Sequence, residues 1–248
     1  MKPLNKLKTI VILLVLKLGI KLHLKQKVLD HTLVFKIENQ FEYFSRFRYP
    51  YYSEPLIIDW IRDFVDANSI IFDIGANVGN YSILIAKKLE KLNGSGLCYA
   101  IEPFFKNYKR LCENIEINNL DRKRIVPLNL ALGMKTKISF YNANLNLSGS
   151  SGKITNDGHQ SVFETTLQNL LKIGNVQNLT HLKIDIDFNT KNIFTDPSFL
   201  ENQSLKSIYI ELNINDYSFV KKQLELYGFR EFKQHTYPAS DTNYIFLR

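Results

Sequence analysis

Residues 69–79 read Ser-Ile-Ile-Phe-Asp-Ile-Gly-Ala-Asn-Val-Gly, a short apolar, β-branched run that ends in an acid and a turn with two glycines. A helix-like segment, 81–92, follows and stops at Asn93-Gly94. A continuous apolar run of this length suits a parallel strand buried on both faces. A strand that feeds a helix through a tight turn is the unit of α/β folds. The alternation continues down the chain. Strands are expected over 96–101, 124–132 (broken by Pro127 near its start), 137–141, 181–186 and 206–212. Helices are expected over 54–67, 106–118, 165–172 and 217–227. Residues 142–160, rich in Asn, Ser and Gly, are expected to form a long loop, and 190–202 helix or loop. Segments 231–235 and 244–247 close the chain as a hairpin. The pattern predicts an α/β, doubly wound, mostly parallel sheet with right-handed crossovers and a C-terminal antiparallel hairpin. In such sheets the ligand lies beyond the carboxyl ends of the strands, where strand order reverses.

Acids stand at that edge. The expected strands end at Asp73, at Glu102, at Asp185 and Asp187, and at Glu211. Acids on four strands point to a shared polar site. Gly75 lets the backbone turn tightly after its strand, and Gly79 lets the helix start close by. A dinucleotide site would call for Gly-x-Gly-x-x-Gly, which sets a pyrophosphate on a helix N-terminus. Here the spacing is Gly-x-x-x-Gly behind an acid. That suits a nucleoside without phosphates. Glu102, one strand over, can accept from both hydroxyls of a ribose, because a carboxylate is acceptor-only with several lone pairs.

The charge is unevenly spread. The 248 residues carry a net charge of +8, from 32 basic and 24 acidic side chains. Residues 1–27 hold seven lysines and no acid, so the rest of the chain is balanced to within one charge. A balanced body argues against duplex nucleic acid as partner, since that binding relies on Lys/Arg contacts to phosphates. The apolar run 10–16 is too short to span a bilayer, which takes about 20 residues. Drawn as one helix, residues 1–27 gather Lys2, Lys6, Lys17, Lys21 and Lys25 within an arc of roughly 140°. Three readings fit: a helix on an anionic membrane surface, a helix packed on its own domain, or a signal segment without a recognisable cleavage site. An aromatic-rich lead-in segment, 28–53, follows, with Arg46 and Arg48 among its rings, as a lid over a site or as core. The body runs from 54 to 248. Cys98 and Cys112 read as small buried hydrophobes. With no zinc spacing and no sign of an oxidising compartment, the expected location is cytoplasmic, at the inner face of the membrane if the first segment docks there.

The motifs resemble those of the FkbM-type methyltransferases. Asp-Ile-Gly-Ala-Asn-Val-Gly-Asn-Tyr-Ser at 73–82 is similar to their first motif and Ala-Ile-Glu-Pro at 100–103 to their second. Asn-Leu-Ala-Leu-Gly at 129–133, Thr-Thr-Leu-Gln-Asn-Leu-Leu at 165–171 and Leu-Lys-Ile-Asp-Ile-Asp at 182–187 resemble later segments, in the same order. The resemblance implies a class I, Rossmann-like methyltransferase fold, S-adenosylmethionine as cofactor, and methylation of a hydroxyl on a sugar, glycolipid or small metabolite. It implies cofactor binding by Asp73, Gly75, Asn77, Gly79 and Glu102, and places Asp185 at the strand end facing the methyl donor. Tyr81, Pro103 and Ala131 join the cofactor candidates from the same motifs. Phe188 stands where the family has Gly, Thr190 where it has Glu, and Gln168 where it has Asp. These departures fall on the acceptor half. They leave a second reading, a catalytically silent binding or scaffold module at a membrane surface.

For a transferase, the candidates for the base that takes the acceptor proton are Asp185, Asp187 and Glu211, in that order, with His159 in the long loop as a further one. The paired acids Asp185 and Asp187 are also of the type that holds a divalent ion, although no metal is expected.

Overall fold

The computed structural model describes residues 3–143, 148–155, 157–186, 190–236 and 241–248. The chain begins with helix α1 (Pro3–Lys17) and an antiparallel hairpin of β1 (Leu22–Val28) and β2 (His31–Ile37). The single helix expected through residue 27 therefore ends ten residues earlier. Gly19, at φ +75, takes the left-handed conformation that closes helices. Beyond it the apolar residues recur every second position, at Leu22 and Leu24, which is a strand period. The outer edge of β2 is covered by side-chain amides instead of another strand. Val34 N donates to Asn118 Oδ1 at 3.0 Å and Lys36 N to Asn114 Oδ1 at 2.9 Å, while Asn118 Nδ2 returns a bond to Val34 O at 2.7 Å. An edge so paired no longer offers free strand hydrogen bonds.

Short helical turns span 40–53. Then the alternating body starts: α2 (Pro55–Phe64), β3 (Ile70–Ile74), α3 (Asn80–Leu92), β4 (Leu97–Ile101), α4 (Phe105–Ile117) and β5 (Ile125–Leu128). After β6 (Ala131–Leu132), β7 (Lys137–Ala143), β8 (Gly152–Thr155) and β9 (Gln160–Thr165) come α5 (Leu167–Ile173), β10 (His181–Ile184), α6 (Thr190–Ile193) and β11 (Ser207–Leu212). Helix α7 (Ile214–Leu226) and the hairpin β12 (Arg230–Thr236) and β13 (Thr242–Leu247) complete it.

The seven-stranded sheet has the order β12-β13-β11-β10-β3-β4-β5. Strands β11, β10, β3, β4 and β5 are parallel, and the terminal hairpin is antiparallel, as the sequence pattern predicts. Strand order reverses between β3 and β10. Apolar layers cover both faces. Trp60, Ile83, Leu84 and Leu111 pack on one face with Leu33, Phe35 and Ile37 of the hairpin, and Leu182, Phe199, Val220 and Phe246 form the other layer.

Two further expectations change. The strand expected over 124–132 divides into β5, at the sheet edge, and β6, in a second sheet of order β6-β9-β7-β8. Pro127 lies inside β5, where an edge position tolerates the missing N–H. The break falls at Asn129, whose Nδ2 donates to Glu102 O at 2.8 Å. The long loop expected over 142–160 contains β8 and the start of β9. Its glycines allow close packing as well as turning: a Cβ on Gly158 would lie 2.6 Å from Tyr141 N, and one on Gly152 2.4 Å from Asn142 O.

Candidate functional site

A cavity opens beyond the carboxyl ends of β3, β4 and β10, at the reversal of strand order, and the second sheet forms part of its wall. Its floor is stitched from backbone. Gly75 N and Ala76 N both donate to Ile101 O, at 3.0 and 2.9 Å, and Asp185 N donates to Ile74 O at 3.0 Å. Gly75 has φ +83, and a Cβ there would lie 1.9 Å from Asp185 O. The glycine therefore serves the approach of two strand ends.

Glu102 follows β4 and is buried. Its Oε2 accepts from Asn77 N at 2.8 Å and its Oε1 from Phe104 N at 2.9 Å. Asn77 reaches that position with φ +52, a conformation Asn tolerates better than most residues. Burial pushes the Glu102 carboxyl up to about 7, against the pull of these N–H groups. Oε1 also accepts from Asn107 Nδ2 at 3.4 Å, so the free acceptor capacity of this cavity-lining carboxyl lies chiefly on Oε2. Beside it Ile101, Pro103, Leu130, Ala131 and Leu132 make an apolar slot. A buried carboxyl acceptor next to an apolar slot fits a ribose carrying a flat base.

The second feature is a buried charge cluster. Lys183, in the middle of β10, is 1% exposed. Its Nζ lies 2.9 Å from Asp73 Oδ1, 3.2 Å from Asp185 Oδ2 and 5.7 Å from the centre of the Tyr81 ring. Burial opposes the charge on Lys183, but Asp185 and Asp73 outweigh it and hold the ammonium above its ordinary range. Asp73 also accepts a hydrogen bond from Ser82 Oγ. Glu54, half-buried just before α2, belongs to the same cluster. Burial and the nearby Asp185 charge push it up to about 7, eased by a hydrogen bond with Tyr81 and by Lys183 and Arg46.

Of the cofactor candidates, Gly75, Asn77, Tyr81, Glu102, Pro103 and Ala131 line the cavity. Asp73 and Gly79 do not. Asp73 is fully buried behind the turn, and a Cβ on Gly79 would lie 2.5 Å from Leu111 Cδ1, so that glycine admits α4 against α3. Of the base candidates, Asp185 lines the cavity, whereas Glu211 and His159 do not. Asp187 and Phe188 lie outside the described residues, and with them the proposed ion-binding pair. Among the described residues no group of three or more His, Cys, Asp or Glu is placed to hold a metal ion. Thr190 is buried, and its hydroxyl donates to Ile186 O at 3.3 Å.

Three contributors escaped the sequence reading. Lys183 had a signal: a charge inside a buried apolar strand needs a partner. Glu54 had none. Arg46 stood among the aromatics of the lead-in segment; its Nε donates to Gly149 O at 2.7 Å, and it lines the cavity with Lys137, Met134 and Tyr141 of the second-sheet side.

The family model of the methyltransferase FkbM domain matches residues 73–232. Among solved structures the chain is similar to a methyltransferase FkbM from Methylobacillus flagellatus, at 14% identity and a TM-score of 0.54. That match covers 74% of this chain and 44% of the other, so this chain spans less than half that protein's length. It is also similar to M. jannaschii TYW2 in complex with AdoMet, at 13% identity and a TM-score of 0.50, covering 91% and 84%. At these identities the likeness shows a shared class I methyltransferase fold. No curated protein matches the chain.

Proposed function

The chain belongs to the methyltransferase FkbM family, and from that premise we propose that it methylates a hydroxyl on a sugar, glycolipid or small metabolite. The cofactor is S-adenosylmethionine. The observation that carries the reading is Glu102, a buried carboxylate with acceptor capacity turned to a cavity at the reversal of strand order. Glu102 would hold the ribose hydroxyls, the Ile101–Leu132 slot the adenine, and the Gly75–Asn77 turn the neighbouring backbone contacts. Bound there, the cofactor would supply an activated methyl group, its sulfonium S–C bond breaking to leave the neutral thioether as an acceptor oxygen takes the methyl in line. Asp185 takes the hydroxyl proton as the new O–C bond forms. Lys183 holds the Asp185 carboxylate in place from behind, its Nζ 3.2 Å from Asp185 Oδ2. Alignment of donor and acceptor at about 3–3.5 Å supplies much of the rate. The near-neutral body supports a small or glycan acceptor over a nucleic acid.

Calorimetry with S-adenosylmethionine on the full chain, beside Glu102→Ala, tests the cofactor half. Micromolar binding that the substitution weakens at least tenfold is expected, since hydrogen bonds to a charged group contribute about 1.5–3 kcal/mol each. No binding by folded wild-type protein would falsify the reading. Methyl transfer to hydroxylated extracts tests the other half. The silent-module reading, favoured by Phe188 and Thr190 in the sequence, predicts donor binding with no transferable methyl for any extract.

A further inference from the structure

Helix α1 has two apolar faces, and the domain uses only one. Thr9, Ile12, Leu13 and Leu16 turn inward, with Ile12 and Leu16 buried against the core. Leu7, Ile10, Val11, Leu14 and Leu18 recur at i, i+3, i+4, i+7 and i+11 on the opposite side, where they are 51–77% exposed. That spacing makes one continuous stripe. At about 100° per residue, Lys6, Lys8 and Lys17 fall roughly 80–100° to either side of it. The stripe is flanked by cations.

A second observation lies beside the helix. A cavity between α1, β1 and the 43–52 turns is lined by Lys8, Lys25, Lys27, Arg48 and the rings of Tyr43 and Tyr49, with no acid among its lining residues. Arg48 is fixed in it: its Nη1 donates to Thr9 Oγ1 at 3.1 Å and to Tyr43 OH at 3.2 Å. Lys21 pairs with Glu38 at 2.9 Å. Lys8, Lys17, Lys25 and Lys27, by contrast, have no carboxylate within ion-pair distance among the described residues. Tyr49 and Tyr52 stand exposed at its rim, the position amphipathic rings take at a membrane interface.

We infer that α1 and this cationic cavity form a docking face for an anionic bilayer surface. The stripe enters the headgroup–acyl boundary, the flanking lysines reach the headgroup plane, and Lys8, Lys25, Lys27 and Arg48 receive a lipid phosphate. No helix among the described residues is long and apolar enough to cross a membrane. The contact is therefore one of lying on the surface, the mode in which apolar area and charge act together. Charge complementarity selects the bilayer over a second copy: a copy would bring the same lysines against these.

The test needs no turnover and so stands apart from the methyl-transfer reading. Full-length protein is floated with vesicles of phosphatidylcholine alone or with 30% phosphatidylglycerol, a composition chosen to about the physiological level of anionic lipid. Expected is recovery with the anionic vesicles only, lost as salt rises. Leu14→Glu and the triple variant Lys8→Glu/Lys25→Glu/Lys27→Glu should each lower partitioning more than tenfold while circular dichroism and melting stay those of wild type. All three lysines are exposed, so folding is not at issue. Equal recovery with both vesicle types, or none with either, overturns the proposal. So does a dimer in sedimentation that Leu14→Glu dissolves without any vesicle binding, which would assign the stripe to a second copy.

Discussion

On the sheet side of the cavity the geometry is set by main chain. Gly75 leaves no room for a Cβ against Asp185 O, Asn77 holds a positive φ, and three N–H···O bonds stitch the strand ends together. On the side of the second sheet and the lead-in turns, the cavity is edged by long side chains: Arg46, Met134, Lys137, Tyr141 and Lys153. A floor fixed by backbone tolerates few substitutions, because any change moves peptide units that the sheet has already paired. A rim of flexible side chains can change its chemistry without disturbing the sheet. Under the proposed function the cofactor would lie on the first side and the acceptor on the second, and the contrast is open to measurement.

The largest expected effect falls on the sheet side. Lys183→Met leaves Asp73 buried without its cation, and breaking a buried pair by removing one partner costs about 3–5 kcal/mol. Urea denaturation should show that loss, and Asp73→Asn added to it should restore part. A loss under about 1 kcal/mol would mean that the charge cluster does not organise the floor. Next comes pH. Burial pushes the folded Glu102 carboxyl up to about 7, and under the proposed function ribose hydroxyls would donate to its ionised form. Affinity for S-adenosylmethionine should therefore be full above pH 7 and fall as pH drops through 7, approaching about tenfold per unit. Glu102→Gln should flatten the difference. The smallest effect belongs to the rim. Met134→Ala, at a half-exposed position, should change stability by no more than about 0.5 kcal/mol while shifting the acceptor KM. If it unfolds the protein instead, the rim is as constrained as the floor and the comparison fails.

The parts of the fold legible in sequence are those in which one signal dominates. Ile70–Ile74 is apolar on both faces and Asn80–Leu92 ends in Asn93 with a positive φ, so strand, turn and helix were each marked. The hairpin Leu22–Ile37 was hidden because its first strand carries lysines at a spacing that also fits one side of a helix. The second sheet was hidden because Gly152 and Gly158, packed on the Tyr141 region, look like loop glycines in composition. In the site, position along a strand said which residues come to the edge but not which way they turn. Asp73 and Glu102 both end strands. One turns inward to Lys183 and Ser82, the other to the cavity.

The short turns between residues 43 and 53 touch both cavities. Tyr43, Phe47 and Tyr49 face the cationic one, while Arg46 lines the other and Tyr51 OH donates to Asn80 O at 3.1 Å. The preceding residues are keyed in as firmly: Arg110, 4% exposed, binds Glu38 at 2.6 Å and Glu42 at 3.1 Å. The smallest autonomous folding unit is accordingly larger than the strand–helix body. Cutting the chain at residue 54 would strip two carboxylates from a buried guanidinium, uncover the core that Leu33, Phe35 and Ile37 seal, and leave the cavity at the strand ends without the part of its wall that Arg46 supplies.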